Sequence, residues 1–334
     1  LRRVLAVTLA SMTLVAACRR STLPEALSDA AFWQLSEELS EPAGTFALSD
    51  NYVSNERRFA ETVRWLPASG GVYVGVGPEQ NFSFIAKLRP AMAFVVDIRR
   101  ENRALHLLYK ALFELAGDRA EFASLLFSRP RPAGLGADAD VAEIFARLAS
   151  TPPSADMRAA TATRVHERLT VAHRLPLSSG DLQSIEATLS AFLHDGPEIQ
   201  FWRDRVPQGE RAGPSYRELM LTADLSGERR AFLATRRAFE TVKELEARNL
   251  IVPVVGDFGG PHAIRAIGEY VRTHHAEIRS FYGSNVGVYL NERQTRAFCD
   301  SLRTLPVGAD AWFIESDGMR PFAAKLKGCP AAPK

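Results

Sequence analysis

The chain has 334 residues, 46% of them hydrophobic and 24% charged, values ordinary for a folded protein with one large core or two modest ones. A formal net charge of +2, with arginines scattered rather than striped, is too near neutral to imply nucleic acid or an anionic membrane surface as partner. Three cysteines without CxxC or Cys/His spacing, and no HExxH, give no reason to expect a metal.

In chain order, Arg2 and Arg3 precede an apolar run from Val4 to Val15, followed by Ala16, Ala17 and Cys18. A basic start, an apolar stretch too short to span a bilayer and small residues after it read as a secretory signal over residues 1–18. Val15-Ala16-Ala17-Cys18 resembles the lipobox of bacterial lipoproteins. That implies lipidation at Cys18 and an exported, membrane-anchored protein at the outer membrane or periplasmic face. The alternatives are an ordinary signal peptide, or an over-extended gene start and a cytoplasmic protein. In an oxidising compartment Cys299 and Cys329 either pair, closing a loop worth about 3–4 kcal/mol, or stay as two free buried thiols.

Residues 19–69 read as a polar tether and an N-terminal helical cap. Asp29–Leu39 has Phe32, Leu35 and Leu39 on one helical stripe. The polar cluster Asn51, Ser54, Asn55 and Glu56 reads as turns and caps, with Ser54 as N-cap of a helix to Leu66, or as a lid over a ligand. Residues 70–116 carry the strongest signal. Val72–Val74 and Met92–Val96 have the composition of buried parallel strands, and Glu79–Leu88 is long enough for a helix between them. Gly75-Val76-Gly77-Pro78 makes the turn, because glycine tolerates sharp backbone angles and proline suits a first helical turn. The second strand ends at Asp97. Such a strand–turn–helix–strand–acid unit offers N–H groups to an anion and a carboxylate to ribose hydroxyls.

Helices are expected at 103–116 and 119–127, then a Pro/Gly loop at 130–136. Residues 117–235 read as a helical insertion with further helices at 140–148, 155–170, 179–193 and 216–220. The alternation returns over 236–316: a helix spanning 229–248, a strand at 250–255 with Asp257 after it, a helix at 261–274 and a strand at 278–281. Ser284 and Asn285 follow, then a helix at 292–302 and a strand at 311–314, leaving 317–334 as a tail. Five strands separated by helices predict an α/β, doubly wound, Rossmann-like parallel sheet. Ligands of such sheets sit beyond the strand carboxyl ends, where Gly75, Gly77, Glu79, Gln80, Asp97, Asp257, Ser284 and Asn285 all fall.

This order of elements resembles the class I S-adenosylmethionine-dependent methyltransferase fold. The resemblance implies S-adenosylmethionine as cofactor, with Gly75 and Gly77 at its methionine moiety, Asp97 at the ribose, Asp257 at the adenine, and Ser284 and Asn285 facing the substrate. The chain departs from that pattern at Tyr73, where an acid is usual, and at Glu79, where a third glycine is usual. Glu79 could restore the missing charge. No closing antiparallel hairpin is expected after the fifth strand. More closely, segments 39–56, 71–102, 107–134, 249–261 and 281–290 resemble an uncharacterised bacterial family that brings no established activity. His262, after Asp257-Phe258-Gly259-Gly260-Pro261, is the histidine placed to act as a general base, and Asn285 is a second candidate. Arg99 and Arg100 read as a solvated helix start or as contacts for an anionic substrate. Two functions follow: a group-transfer enzyme, or remnant of one, binding an adenosine-containing small molecule, and a non-catalytic exported binding or scaffold lipoprotein.

Overall fold

The computed structural model describes residues 21–46, 51–201 and 213–330; the expected signal segment and Cys18 lie outside them. Five parallel strands, β1 (Val72–Val76), β2 (Met92–Asp97), β3 (Ile251–Val255), β4 (Ile278–Ser284) and β5 (Val307–Glu315), share one sheet with an antiparallel strand, β6 (Gly318–Pro321). Their order is β3-β2-β1-β4-β5-β6. β1 and β2 are almost wholly buried, which explains why they read as continuous apolar runs rather than alternating ones. The strand order reverses direction between β1 and β4. Right-handed crossovers therefore send the helices before β3 to one face and those after it to the other.

On the first face lie α3 (Gln80–Leu88), α4 (Arg100–Leu115) and α10 (Arg236–Ala247). Their shared core is aromatic: Phe82 meets Tyr109, Phe113 and Phe232 edge-on, with ring centroids 5.2–5.3 Å apart. Such edge-to-face pairs add about 0.5–1.5 kcal/mol each beyond burial. Between α4 and α10 the chain forms α5 (Arg119–Phe127), α6 (Val141–Ser150), α7 (Ala155–His166), α8 (Ser179–Asp195) and α9 (Tyr216–Leu221). On the second face α11 (Ala263–Thr273), α12 (Glu292–Arg303) and α13 (Phe322–Lys327) enclose Phe258, Phe281, Phe298, Phe313 and Phe322.

The helices α1 (Asp29–Leu39) and α2 (Phe59–Trp65) precede the sheet. α1 covers the free edge of β3. Ser36 Oγ donates to the Pro253 carbonyl (2.5 Å), Val255 N–H donates to Ser40 Oγ (2.9 Å) and Glu41 N–H donates to the Val255 carbonyl (2.9 Å). Pro253, which has no N–H, sits on an edge strand, where a missing donor costs least.

The structure corrects several expectations. The sheet has six strands, not five, and the stretch expected as a tail holds β6 and α13. β6 is short and half-exposed, with Met319 its one large apolar residue, so no alternating pattern marks it. The helix expected from 229 begins at Arg236. Ahead of it the chain is pinned by a bridge between Ala223 and Arg229 and by Phe232 N–H donating to Ser83 Oγ (3.2 Å). Ser54 caps no helix, since α2 starts at Phe59. The helix expected to run from 155 to 170 becomes π-helical over Glu167–Ala172. Cys299 and Cys329 are joined, with their Cα atoms 5.7 Å apart, tying α12 to the end of the described chain. Among the described residues, no helix is long and apolar enough to cross a membrane.

Candidate functional site

The turn after β1 is built around one asparagine. Asn81, in the first turn of α3, donates its Nδ2 hydrogens among the carbonyls of Val76 (2.9 Å), Gly77 (3.0 Å) and Pro78 (2.7 Å). Its Oδ1 accepts from the Tyr73 hydroxyl (2.9 Å). A Cβ at position 75 would collide with Asn81 Oδ1 and the Tyr73 hydroxyl, so Gly75 makes room for the turn's own scaffold. At Gly77 the requirement is conformational. Its φ is +77°, and a Cβ there would meet open space.

The Gly77 carbonyl also accepts from Asn102 Nδ2 (3.3 Å) and His106 Nε2 (2.9 Å), both on α4. Three donors thus hold this peptide oxygen toward the protein interior. Burial pulls the His106 pKa down to about 4, against the favourable bond to Gly77, so the ring is neutral at pH 7 with its proton on Nε2. Sequence reading missed Asn81, Asn102 and His106. Asn102 and His106 stand four residues apart on a helix, a spacing that places them on one face, but no sequence signal says that this face meets the turn.

The cavity lies beyond the carboxyl ends of β1–β4 and measures about 200 Å³. Polar groups reach it from separate elements: Gly77 after β1, Asp97 at the end of β2, Asp257 after β3, and Ser284 and Asn285 at and after β4. Apolar walls come from Ile98, Phe258, Tyr282, Val286 and Leu290. Phe46 and Tyr289 meet edge-on at its rim, 4.9 Å between ring centroids.

Asp97 is not free. Arg99 holds it with Nε to Oδ1 (3.0 Å) and Nη2 to Oδ2 (2.8 Å), and its backbone N–H adds a third bond to Oδ1 (2.9 Å). Both residues are buried, and a fork-to-carboxylate pair of this kind fixes geometry as well as charge. Arg99 Nη1 reaches the Asn51 carbonyl (3.3 Å), linking the pair to the segment expected as a lid. Arg100 faces away and pairs bidentately with Asp181 at the start of α8, 2.8 Å on both oxygens. Asp257 Oδ1 accepts from Gly259 N–H (2.8 Å), and among the described residues its Oδ2 has no hydrogen bond.

Of the expected lid residues, Asn51, Ser54 and Asn55 line the cavity. Glu56 lies beneath them, bonded by the Ser284 hydroxyl, and burial raises its pKa despite that bond. Glu79 and Gln80 do not line the cavity. Glu79 is fully buried and accepts the Ser54 N–H on both carboxylate oxygens, at 3.1 and 3.2 Å. Desolvation pushes its pKa up to about 8, with Glu56 adding to the rise. The Gln80 amide is buried without a hydrogen-bond partner among the described residues. His262 stands outside the cavity, its ring on the Glu38 carbonyl (2.9 Å) and its N–H on Glu41 (3.1 Å), in a groove between α1 and α11. Among the described residues, no group of three or more His, Cys, Asp or Glu could hold a metal ion.

Residues 51–134 and 212–324 match the model of a domain of unknown function, DUF7790. The chain belongs to the DUF7790 family. No curated protein matches it. The matched DUF7790 segments carry the lid residues, the Asn81 turn, Asp97, Asp257, Ser284 and Asn285, whereas α6, α7 and α8 fall between them.

Proposed function

We propose that this chain binds an adenosine-bearing small molecule of the S-adenosylmethionine type, in a fold of the class I methyltransferase kind, as a group-transfer enzyme or its remnant. One observation carries the reading. Four consecutive ends of a β3-β2-β1-β4 sheet deliver a glycine turn, two carboxylates and an asparagine to a single cavity. The adenosine half of such a ligand fits the residues present. Asp97 Oδ2 accepts one bond from Arg99 and keeps a lone pair for a ribose hydroxyl. Ile98 and Phe258 supply apolar walls for a purine, and Asp257 Oδ2 is open to its amine. The methionine half does not fit. The Tyr73 hydroxyl is committed to Asn81 and the Glu79 carboxyl to Ser54, which leaves no carboxylate at the turn for an ammonium group. Affinity is therefore expected to rest on the adenosine.

Calorimetric titration of the full chain with adenosine, S-adenosylhomocysteine and S-adenosylmethionine tests this. The expected result is affinities within about tenfold of one another, each weakened at least about tenfold in Asp257→Asn with unchanged circular dichroism. Heat absent with all three compounds overturns the proposal.

A second reading, an exported binding lipoprotein without catalysis, is favoured by the Cys299–Cys329 pair, which suits an oxidising compartment, and by the position of His262 away from the cavity. It includes lipidation at Cys18. Palmitate labelling that is equal in the parent chain and in Cys18→Ser would remove that part of it.

A further inference from the structure

A second concavity, about 400 Å³, lies on the helical side of the molecule between α3 and the start of α10. Five cationic side chains line it, Lys87, Arg89, Arg229, Arg230 and Arg237, and no carboxylate does. Arg229 is answered from outside by Asp140 (3.0 Å), and Arg230 by Asp224 (2.7 Å) and Glu228 (2.5 Å). Lys87, Arg89 and Arg237 have no ion pair among the described residues. Lys87 and Arg89 close α3, where cations suit the helix dipole, but Arg237 stands in the first turn of α10, where the dipole opposes it.

Two exposed apolar side chains stand beside this cleft. Trp65 is 62% exposed and Leu225 is 88% exposed. Both are held by Glu61, which accepts from the indole N–H of Trp65 (2.6 Å) and the backbone N–H of Leu225 (3.0 Å). Leu225 tips the turn that leads to Arg229 and Arg230, and α2, which ends at Trp65, contributes Val63 to the cleft lining.

The position of these groups in the fold adds a third observation. Trp65 ends α2 shortly before β1, and Lys87 and Arg89 come just before β2, so all three lie toward the amino edge of the sheet, opposite the cavity. The N-terminal segment runs along that same edge. Thr22 N–H donates to the His274 carbonyl (2.8 Å) and Leu27 N–H to the Arg248 carbonyl (3.0 Å), ahead of β4 and β3. The described chain therefore begins at the edge that carries the cleft.

We propose that this amino edge docks on an anionic lipid surface, with Lys87, Arg89 and Arg237 meeting headgroup phosphates and Trp65 and Leu225 entering the interface. Clustered cations attract anionic headgroups, and an exposed indole with an aliphatic neighbour is suited to the headgroup depth. The inference is independent of what occupies the cavity.

The test uses the full chain with Cys18→Ser, which cannot be lipidated at that position, and vesicles of phosphatidylcholine with or without about one-third phosphatidylglycerol. Co-sedimentation is expected to favour the anionic vesicles at least about tenfold and to fall steeply with salt. The charge-reversed triple variant Lys87→Glu, Arg89→Glu, Arg237→Glu should lose that preference. The double variant Trp65→Ser, Leu225→Ser should bind anionic vesicles more weakly while keeping the salt dependence. Equal partition to both vesicle types, or an unchanged triple variant, overturns the proposal. Displacement from vesicles by millimolar inorganic phosphate also overturns it, and would make the cleft a site for a soluble anion.

Discussion

Two buried ionisable networks in this molecule obey opposite rules. Beneath residues 51–55, Glu56 and Glu79 are buried among Tyr73, Tyr282 and Ser284 with no cation among the described residues, and burial raises both carboxyl pKa values. On the other side of the helical layer, Lys110 on α4 reaches Glu114 (2.7 Å) and the Glu246 carbonyl (2.5 Å), and His173 bridges Glu114 (2.6 Å) and Asp29 (2.8 Å). There burial alone would raise the carboxylates, but His173 and Lys110 lower Glu114, and Asn249, His173 and Lys110 lower Asp29. Hydrogen bonding to Glu114 raises His173 in return. Burial with a counter-charge makes a staple, whereas burial without one leaves a group whose charge state answers to what covers it. The carboxyls of Glu56 and Glu79 belong to the second kind.

The sharpest way to break this contrast is to remove the staple's cation. Lys110→Met should destabilise the chain by about 2–3 kcal/mol, because Glu114 loses its buried ammonium partner and keeps His173. Urea denaturation at pH 7 measures it, and a loss below about 1 kcal/mol would mean that the network is solvated. Glu79 offers the converse. Its folded pKa, about 8, lies above the ordinary 4.5, so the native state holds a proton that the unfolded state has lost. Its contribution is most favourable below pH 4.5 and falls as pH rises toward 8. Glu79→Gln should flatten that decline and stabilise the protein at pH 8 by roughly 2–3 kcal/mol. An equal slope in parent and variant would show that Ser54 holds an ionised carboxylate.

The smallest effect is expected at His173, whose folded pKa is raised above 6.5. Its stabilisation is complete below the unfolded pKa and is lost as pH rises through the folded value. His173→Gln should therefore cost about 1–2 kcal/mol at pH 5.5 and little at pH 9. A cost independent of pH would reassign the residue to packing.

The difference between the networks also marks what the sequence could disclose. The parallel strands, the turn at Gly77 and the acids at Asp97 and Asp257 were legible because each depends on a local pattern, an apolar run ended by glycine or aspartate. Glu79 was legible as a departure from a glycine pattern but not as a buried acid under Ser54, because that requires the segment around Ser54 to fold back across 25 residues. The Arg99 grip on Asp97 is sequence-adjacent, yet two neighbouring charges read equally well as a solvated helix start. β6 was invisible for the reverse reason, since an exposed edge strand of four residues needs no apolar code.

The cover that α1 lays over β3 has a consequence for biogenesis. Ser36, Ser40 and Glu41 are made more than 200 residues before Pro253 and Val255, the partners they seal. In a chain synthesised from its N-terminus, this amphipathic helix waits unpaired until the third strand has been completed, and the strand edge stays open until the helix returns. Such long-range closure is slow, and an unsealed parallel edge is a template for pairing with other chains. Closure of this edge thus falls to the first helix, and its timing sets how long the β3 edge must be kept from neighbouring chains.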